Sequence, residues 1–202
     1  AFRETFQTGY FLADVILLIA VIAIAFFATA MNSIASTAFT REGGHISFVK
    51  HIPMTYELQI RAKVWVSMIF SGITVAVTTV IMCIYMDCSF IDSVYYVVLG
   101  FLCVGICTYT GILLDSTHPK LDWEDEYGAL RGNLNAFFNM AIAIVMAIVL
   151  CAVGFVVFKF TNIPSYIVYI IYMMIMGAMF IILRRDTMIM SARNIDTDVY
   201  SD

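Results

Sequence analysis

The sequence predicts an all-α fold, a polytopic transmembrane helix bundle, and three observations carry that prediction. Apolar residues make up 62% of the 202, only 13% are charged, and mean hydropathy is +0.92. A soluble domain is about half apolar and about a quarter charged, so this chain lacks the polar surface to cover a water-soluble globule. Five stretches (Val15 to Thr40, Val64 to Met86, Ser93 to Leu114, Gly132 to Phe158 and Phe160 to Leu183) carry no Asp, Glu, Lys or Arg, and each is 22 residues or longer. About 20 helical residues cross a hydrocarbon core. Lipid cannot satisfy a free backbone amide, so helices and closed barrels are the only spanning solutions. Barrel strands would alternate polar and apolar residues, and these runs do not.

Each charge-free run therefore reads as one span, at about 12–38, 62–86, 92–114, 134–158 and 163–184, within a single transmembrane domain over 1–202. Orientation follows from the cations. Arg41, Lys50, Arg61, Lys63, Lys120, Arg131, Arg184, Arg185 and Arg193 fall on one side, and only Arg3 and Lys159 on the other. The positive-inside rule places the amino end outside and the carboxyl end in the cytoplasm of a multi-pass cell-membrane protein. The net charge of −4 does not oppose this, because acids hardly count in that rule. Residue 1 is Ala, and 1–14 is no signal peptide, since Asp14 interrupts it and no cleavage pattern follows. The chain reads as the carboxyl-terminal part of something longer.

Several functions are disfavoured. The pattern G-x-x-x-x-G-K-S/T is absent, and Gly43-Gly44 is not followed by Lys and a hydroxyl residue, so no binding and hydrolysis of ATP through a P-loop is expected here. No span is expected to carry a buried carboxylate, Lys or Arg, the usual mark of proton relays and voltage sensors. Cys103 and Cys107 lie four apart with Gly111 one turn on, a small-residue stripe that admits another helix closely in preference to a soft-metal site. Asn139, Ala143, Ala147 and Cys151 form a second such stripe. Tyr95, Tyr96, Tyr166 and Tyr169 fall near the expected outer ends, as an aromatic belt would. No metal, cofactor or nucleic-acid partner is expected.

The segment from Ser36 to Trp65 interrupts this pattern with tandem glycines, two histidines, basic residues and a proline. From His45 it reads as a short amphipathic helix over 45–52, with Phe48, Val49 and Ile52 on one face and Ser47, Lys50 and His51 on the other. Pro53 ends it, because proline disfavours helical geometry in the residue before it. Pattern alone is compatible with an interfacial anchor.

The stretch TREGGHISFVKHIPMTYELQIRAKVW (Thr40–Trp65) resembles the segment between the second and third helices of a half-unit in permeases of ATP-binding-cassette (ABC) exporters of the type-2 class, through Arg41, Glu42, Gly43, Pro53, Gln59, Ala62 and Lys63. Typical members carry a larger residue than Gly44. A second stretch, GILLDSTHPKLDWEDEYGALRGNLNAFF (Gly111–Phe138), resembles a cytoplasmic loop in a Gram-positive branch of these permeases, through Asp115, Pro119, Lys120, Leu121, Trp123, Glu126, Asn133 and Asn135. The usual Lys before the first Asn is displaced to Arg131.

The resemblance implies that 45–52 is a cytoplasmic coupling helix resting on a separate ABC ATPase subunit. Arg41, Glu42, Gly43, His45, Phe48, Val49, Ile52 and Pro53 would then be the coupling residues. Asp115, Pro119, Lys120, Trp123, Glu126 and Asn133 would form a second cytoplasmic contact. The acids around Trp123 suit a partner contact or an interface anchor better than a metal, since no His lies among them at ligand spacing. A half-unit of the family has six spans, so a further span, and either the remaining permease half or a second copy, would complete the transporter among membrane lipid. The expected function is export of an unspecified substrate driven by the partner's ATP hydrolysis. The rival is a non-transport scaffold or assembly subunit whose amphipathic helix is only an anchor.

Overall fold

The computed structural model describes residues 10–43, 51–123, 126–160 and 165–196. Helix α1 covers Tyr10–Met31, and a 3-10 turn at Ala35–Thr37 follows it. Then come α2 (Tyr56–Tyr85), α3 (Phe90–Thr117), the short α4 (Glu126–Leu130), α5 (Leu134–Phe160) and α6 (Ser165–Asp196). No strand occurs among the described residues. Five segments are long and apolar enough to cross a membrane, so the fold is the all-α bundle that the charge-free runs predict.

Helix α3 is the axis of the bundle. It packs against α1, α2, α5 and α6, and Tyr96, Leu99, Cys103, Cys107 and Ile112 on it are buried. In lipid there is no hydrophobic drive for helices to associate, so close van der Waals packing and hydrogen bonds must do it. The Cys103–Cys107–Gly111 stripe serves that end. Cys107 Sγ lies 4.0 Å from the Phe26 carbonyl of α1. A Cβ at Gly111 would lie 3.1 Å from the Ser36 backbone nitrogen and 3.1 Å from Ala35 Cβ. The second stripe works the same way from α5: Asn139 and Ala143 are buried, Asn139 Nδ2 lies 3.8 Å from Cys107 Sγ of α3, and Cys151 Sγ sits 3.7 Å from the Ile19 carbonyl of α1. Outward, Phe70, Ile73, Ile81 and Ile84 of α2 and Val145, Ile148 and Val149 of α5 are exposed. That apolar girdle would be an aggregation liability in water and suits lipid.

Four expectations need correction. The first span does not run unbroken over 12–38. Its α-helix ends at Met31, and Ser33 takes a left-handed φ of +50°. Asn32 Oδ1 accepts the Ile34 amide at 2.9 Å, Asn32 Nδ2 reaches Ser71 Oγ, and Thr37 Oγ1 donates to the Ser33 carbonyl at 2.8 Å. Short polar side chains thus offer the backbone alternatives to the helical ladder, which a charge-based reading does not register. Helix α3 continues past 114 to Thr117 and carries Asp115 fully into the interior, so this helix does hold a buried carboxylate. Helix α6 continues past 184 to Asp196, because charge ends an apolar run without ending a helix. Its extension is docked on α3 by Thr187 Oγ1 to the Tyr109 carbonyl (3.2 Å), Ser191 Oγ to Ser116 Oγ (2.8 Å) and Asn194 Nδ2 to the Ser116 carbonyl (3.0 Å).

The fourth correction concerns the tyrosines. Tyr166 is exposed as a belt residue should be, whereas Tyr96 and Tyr169 are buried. Their hydroxyls lie 2.9 Å apart, Tyr95 stacks on Tyr169 with ring centroids 4.2 Å apart, and Tyr172 donates to the Leu150 carbonyl at 2.6 Å. Aromatic packing thus ties α3, α5 and α6 together at this end.

Gly111→Val should lower the thermal stability of the detergent-solubilised protein, on the scale of about 1–3 kcal/mol for overpacking against groups that cannot yield. Gly177→Ala in α6, where a Cβ meets nothing within 4 Å, should be neutral or stabilising by up to about 1 kcal/mol from helix propensity. Melting curves of the two variants, read side by side, check both.

Candidate functional site

At the end of the bundle opposite the tyrosines, the chain leaving the first span turns through 3-10 geometry over 40–43. A backbone that turns inside a bundle exposes amides without ladder partners, and burying an amide unbonded costs about 2–7 kcal/mol. Asp115 supplies the acceptors. Its Oδ2 takes the Phe39 amide at 2.6 Å and the Thr40 amide at 3.0 Å. Its Oδ1 takes Thr40 Oγ1 at 2.6 Å and Asn135 Nδ2 at 3.0 Å. All four contacts are donors, the pattern an acceptor-only carboxylate satisfies. Among the described residues no Lys or Arg pairs with this carboxylate, so fixed dipoles hold its charge.

Thr40 is the hub. Its hydroxyl accepts the Lys120 amide at 3.1 Å and Asn133 Nδ2 at 3.3 Å, which commits its single proton to Asp115. Its carbonyl accepts Trp123 Nε1 at 2.8 Å. The Trp123 ring then lies over Gly43, where a Cβ would come within 2.7 Å of Cζ2 and where φ is +52°. Only glycine meets both conditions without strain.

The neighbouring segments are tied into the same cluster. Asn133 caps α5: its Oδ1 accepts the Asn135 amide at 2.8 Å, the usual work of Asn before a helix. Asn135 Nδ2 also reaches the His118 carbonyl at 2.7 Å, one of the carbonyls left open where α3 ends ahead of Pro119. Lys120 Nζ donates to the Gly128 and Arg131 carbonyls at 3.1 and 3.0 Å, satisfying the carboxyl end of α4 as a cation does. From α2, Lys63 Nζ donates to the Ala38 carbonyl at 2.9 Å, pairs with Glu42 and lies 5.0 Å from the Phe39 ring centroid. Arg41 turns back along its own chain, to the Thr37 carbonyl at 3.2 Å and the Ile34 carbonyl at 2.8 Å.

Two groups that the sequence presents as separate contacts thus form one. Arg41, Glu42 and Gly43 sit on the turn, and Asp115, Lys120, Trp123 and Asn133 grip it. Pro119 is half-buried beside them, and Glu126 opens α4. His45, Phe48 and Val49, with most of the expected helix over 45–52, lie outside the described residues. His51 has 3-10 geometry, and Ile52 and Pro53 lie in an exposed bend ahead of α2. Three residues central to the cluster are missing from the sequence-derived site: Thr40, Asn135 and Lys63. All three stand in the resembling segments, but only Asn135 and Lys63 are among the residues that carry the resemblance, which was the signal available. Thr40 carries none, since a threonine closing an apolar run is unremarkable.

The arrangement is closed. Asp115 and Thr40 are fully buried and Asn133 nearly so, and among the described residues no three His, Cys, Asp or Glu side chains gather as a metal site. Its chemistry is that of a brace, fixing one turn against α2, α3, α4 and α5. Comparison with protein-family models, with curated proteins and with solved structures finds no match for the chain.

Asp115→Ala should strand the Phe39 and Thr40 amides and the Thr40 hydroxyl together. A loss of about 3 kcal/mol or more follows at about 1–3 kcal/mol for each stranded group. Hydrogen exchange resolved at the Phe39 and Thr40 amides should accelerate in this variant. In Trp123→Phe, which removes only the donor to the Thr40 carbonyl, those two amides should stay protected.

Proposed function

We propose that the chain is the transmembrane permease part of an ABC exporter of the type-2 class, driven by a separate cytoplasmic ATPase. The observation that carries the reading is the brace itself. The two segments that resemble this family are bonded to each other across 75 positions of sequence, at Thr40 and Asp115. An element that receives force from a soluble motor must be bolted to the spans it moves. The turn leading into the 45–52 segment is bolted to α3 through Asp115, to the start of α5 through Asn133, and to α2 through Lys63, while Asn135 of α5 grips Asp115 itself. Displacement of that segment would therefore be carried into several spans together. Transport would follow as alternating exposure of a path between this unit and the rest of the permease, whether its other half or a second copy.

The nine-to-two division of cations puts the braced end, and the carboxyl end, in the cytoplasm. In a background without native cysteines, Asp122→Cys should be shielded from a membrane-impermeant thiol reagent in intact cells, and Ser89→Cys in the α2–α3 turn should label. The reverse labelling would overturn the orientation.

The coupling role is tested on Phe48 and Ile52. A central apolar anchor in a protein interface costs about 2 kcal/mol or more when truncated. The Phe48→Ala, Ile52→Ala double variant should therefore lose ATPase co-purification, or lose substrate-stimulated hydrolysis in reconstituted vesicles, while still inserting. Lys50→Ala, on the polar face, should retain both. Full association and stimulation in the double variant would refute coupling and favour a scaffold subunit with a simple anchor helix.

A further inference from the structure

We infer that the cleft between the start of α2 and the distal part of α6 binds an anionic phospholipid by its headgroup. The cleft measures about 550 Å³ and is lined on α6 by Ile181, Arg184, Arg185, Met188, Ile189 and Ala192, with Glu57 of α2 beside them. Those α6 positions recur at steps of three, one, three, one and three, a single stripe of an α-helix. The two arginines are thus presented to the same cleft as the apolar side chains, and Asp186 falls off the stripe.

Charge complementarity selects an anion. Glu57 is already engaged, with Arg61 Nη2 at 2.6 Å. Neither Arg184 nor Arg185 has a carboxylate partner among the described residues. Two guanidinium forks side by side match phosphate oxygens, which they can bind in bidentate fashion.

Position selects a lipid over a soluble anion. Residues 166–183 of α6 carry no charge, and at about 1.5 Å per residue they cover most of a hydrocarbon core of about 30 Å. Arg184 and Arg185 therefore stand where the apolar layer ends, the level of lipid phosphates. Ile181 lies one turn inside that level and is exposed, an acyl-chain surface that a free phosphate would not use. Basic pockets between spanning helices at a membrane face are sites of this kind.

The test uses the full protein purified in mild detergent and titrated with phosphatidylglycerol or phosphatidylcholine of matched chains, with bound lipid counted by native mass spectrometry. Phosphatidylglycerol should be retained over phosphatidylcholine, and millimolar glycerol phosphate should not displace it. The Arg184→Gln, Arg185→Gln double variant should weaken phosphatidylglycerol binding by about tenfold or more, the scale expected for two basic side chains at an anionic lipid surface. Arg184→Lys with Arg185→Lys, which keeps the charge and loses the bidentate fork, should bind more weakly than the unmodified protein and more tightly than the glutamine variant. Arg131→Gln, a charge change at the same end outside the cleft, should leave it unaltered. Equal retention of both lipids, displacement by glycerol phosphate, or an equal loss in Arg131→Gln would each overturn the assignment. The first two outcomes are read on the unmodified protein and do not depend on any variant folding.

Discussion

The Asp115 carboxylate and the turn it holds are the constraint from which the braced end of the bundle follows. The chain must turn sharply after its first apolar run, and the turn lies inside a bundle where no ladder partner exists for the Phe39 and Thr40 amides. Leaving them open would cost several kcal/mol apiece. Burying a carboxylate also costs several kcal/mol, and four hydrogen bonds to an ionised acceptor, each stronger than a neutral one, are what offset it. Each side of this exchange is unfavourable without the other. The remaining contacts make the exchange geometrically possible: Asn133 and Lys120 fix the direction of the Thr40 hydroxyl, and Trp123 holds its carbonyl.

The two ends of the bundle achieve association by different physics. At the braced end, the bonds run from side chains to backbone groups, so they fix the path of the chain itself. At the other end, Tyr95, Tyr96 and Tyr169 pack ring against ring, and Tyr172 donates to one backbone carbonyl, that of Leu150. Between them lie small-residue contacts: Cys107 against the Phe26 carbonyl of α1, Gly111 against Ala35 and Ser36 just beyond it, and Cys151 against the Ile19 carbonyl of α1. Small-residue contacts give close approach without directional bonds. Directional constraint is therefore concentrated at one end, which is the end bearing both segments of family resemblance.

The bundle was legible in the sequence because lipid imposes a compositional demand: a span must exclude charge over about 20 residues, and five stretches do. Helix ends were less legible, because other forces set them. Past the end of α1, the uncharged side chains of Asn32 and Thr37 compete for the backbone, and Arg184 and Arg185 leave α6 intact because arginine is a good helix former. Asp115 was misplaced for the same reason. A charge next to an apolar run looks like the start of a loop, yet three more helical residues turn it inward. For the site, the anomalous composition of the two segments was visible, and their mutual grip was not. No periodicity in one sequence reveals that a threonine at position 40 and an aspartate at position 115 share a proton donor and two amides.

That grip changes what the paired segments mean. Read separately, Arg41–Gly43 and Asp115–Asn133 look like two surfaces awaiting a partner, and their polar residues look like contacts to be made. In the fold, Asp115, Thr40 and Asn133 are buried and their bonding is spent within the chain. Such residues cannot touch another subunit without first releasing the turn, and releasing it would strand the amides they satisfy. Any partner at this end must therefore engage what the brace presents outward, and the brace acts on it only by holding that surface in a fixed relation to α2, α3 and α5. The specificity of the two segments is thus a specificity of internal geometry. Their polar residues position a contact surface, and the surface itself must come from exposed side chains such as Ile52 in the bend ahead of α2.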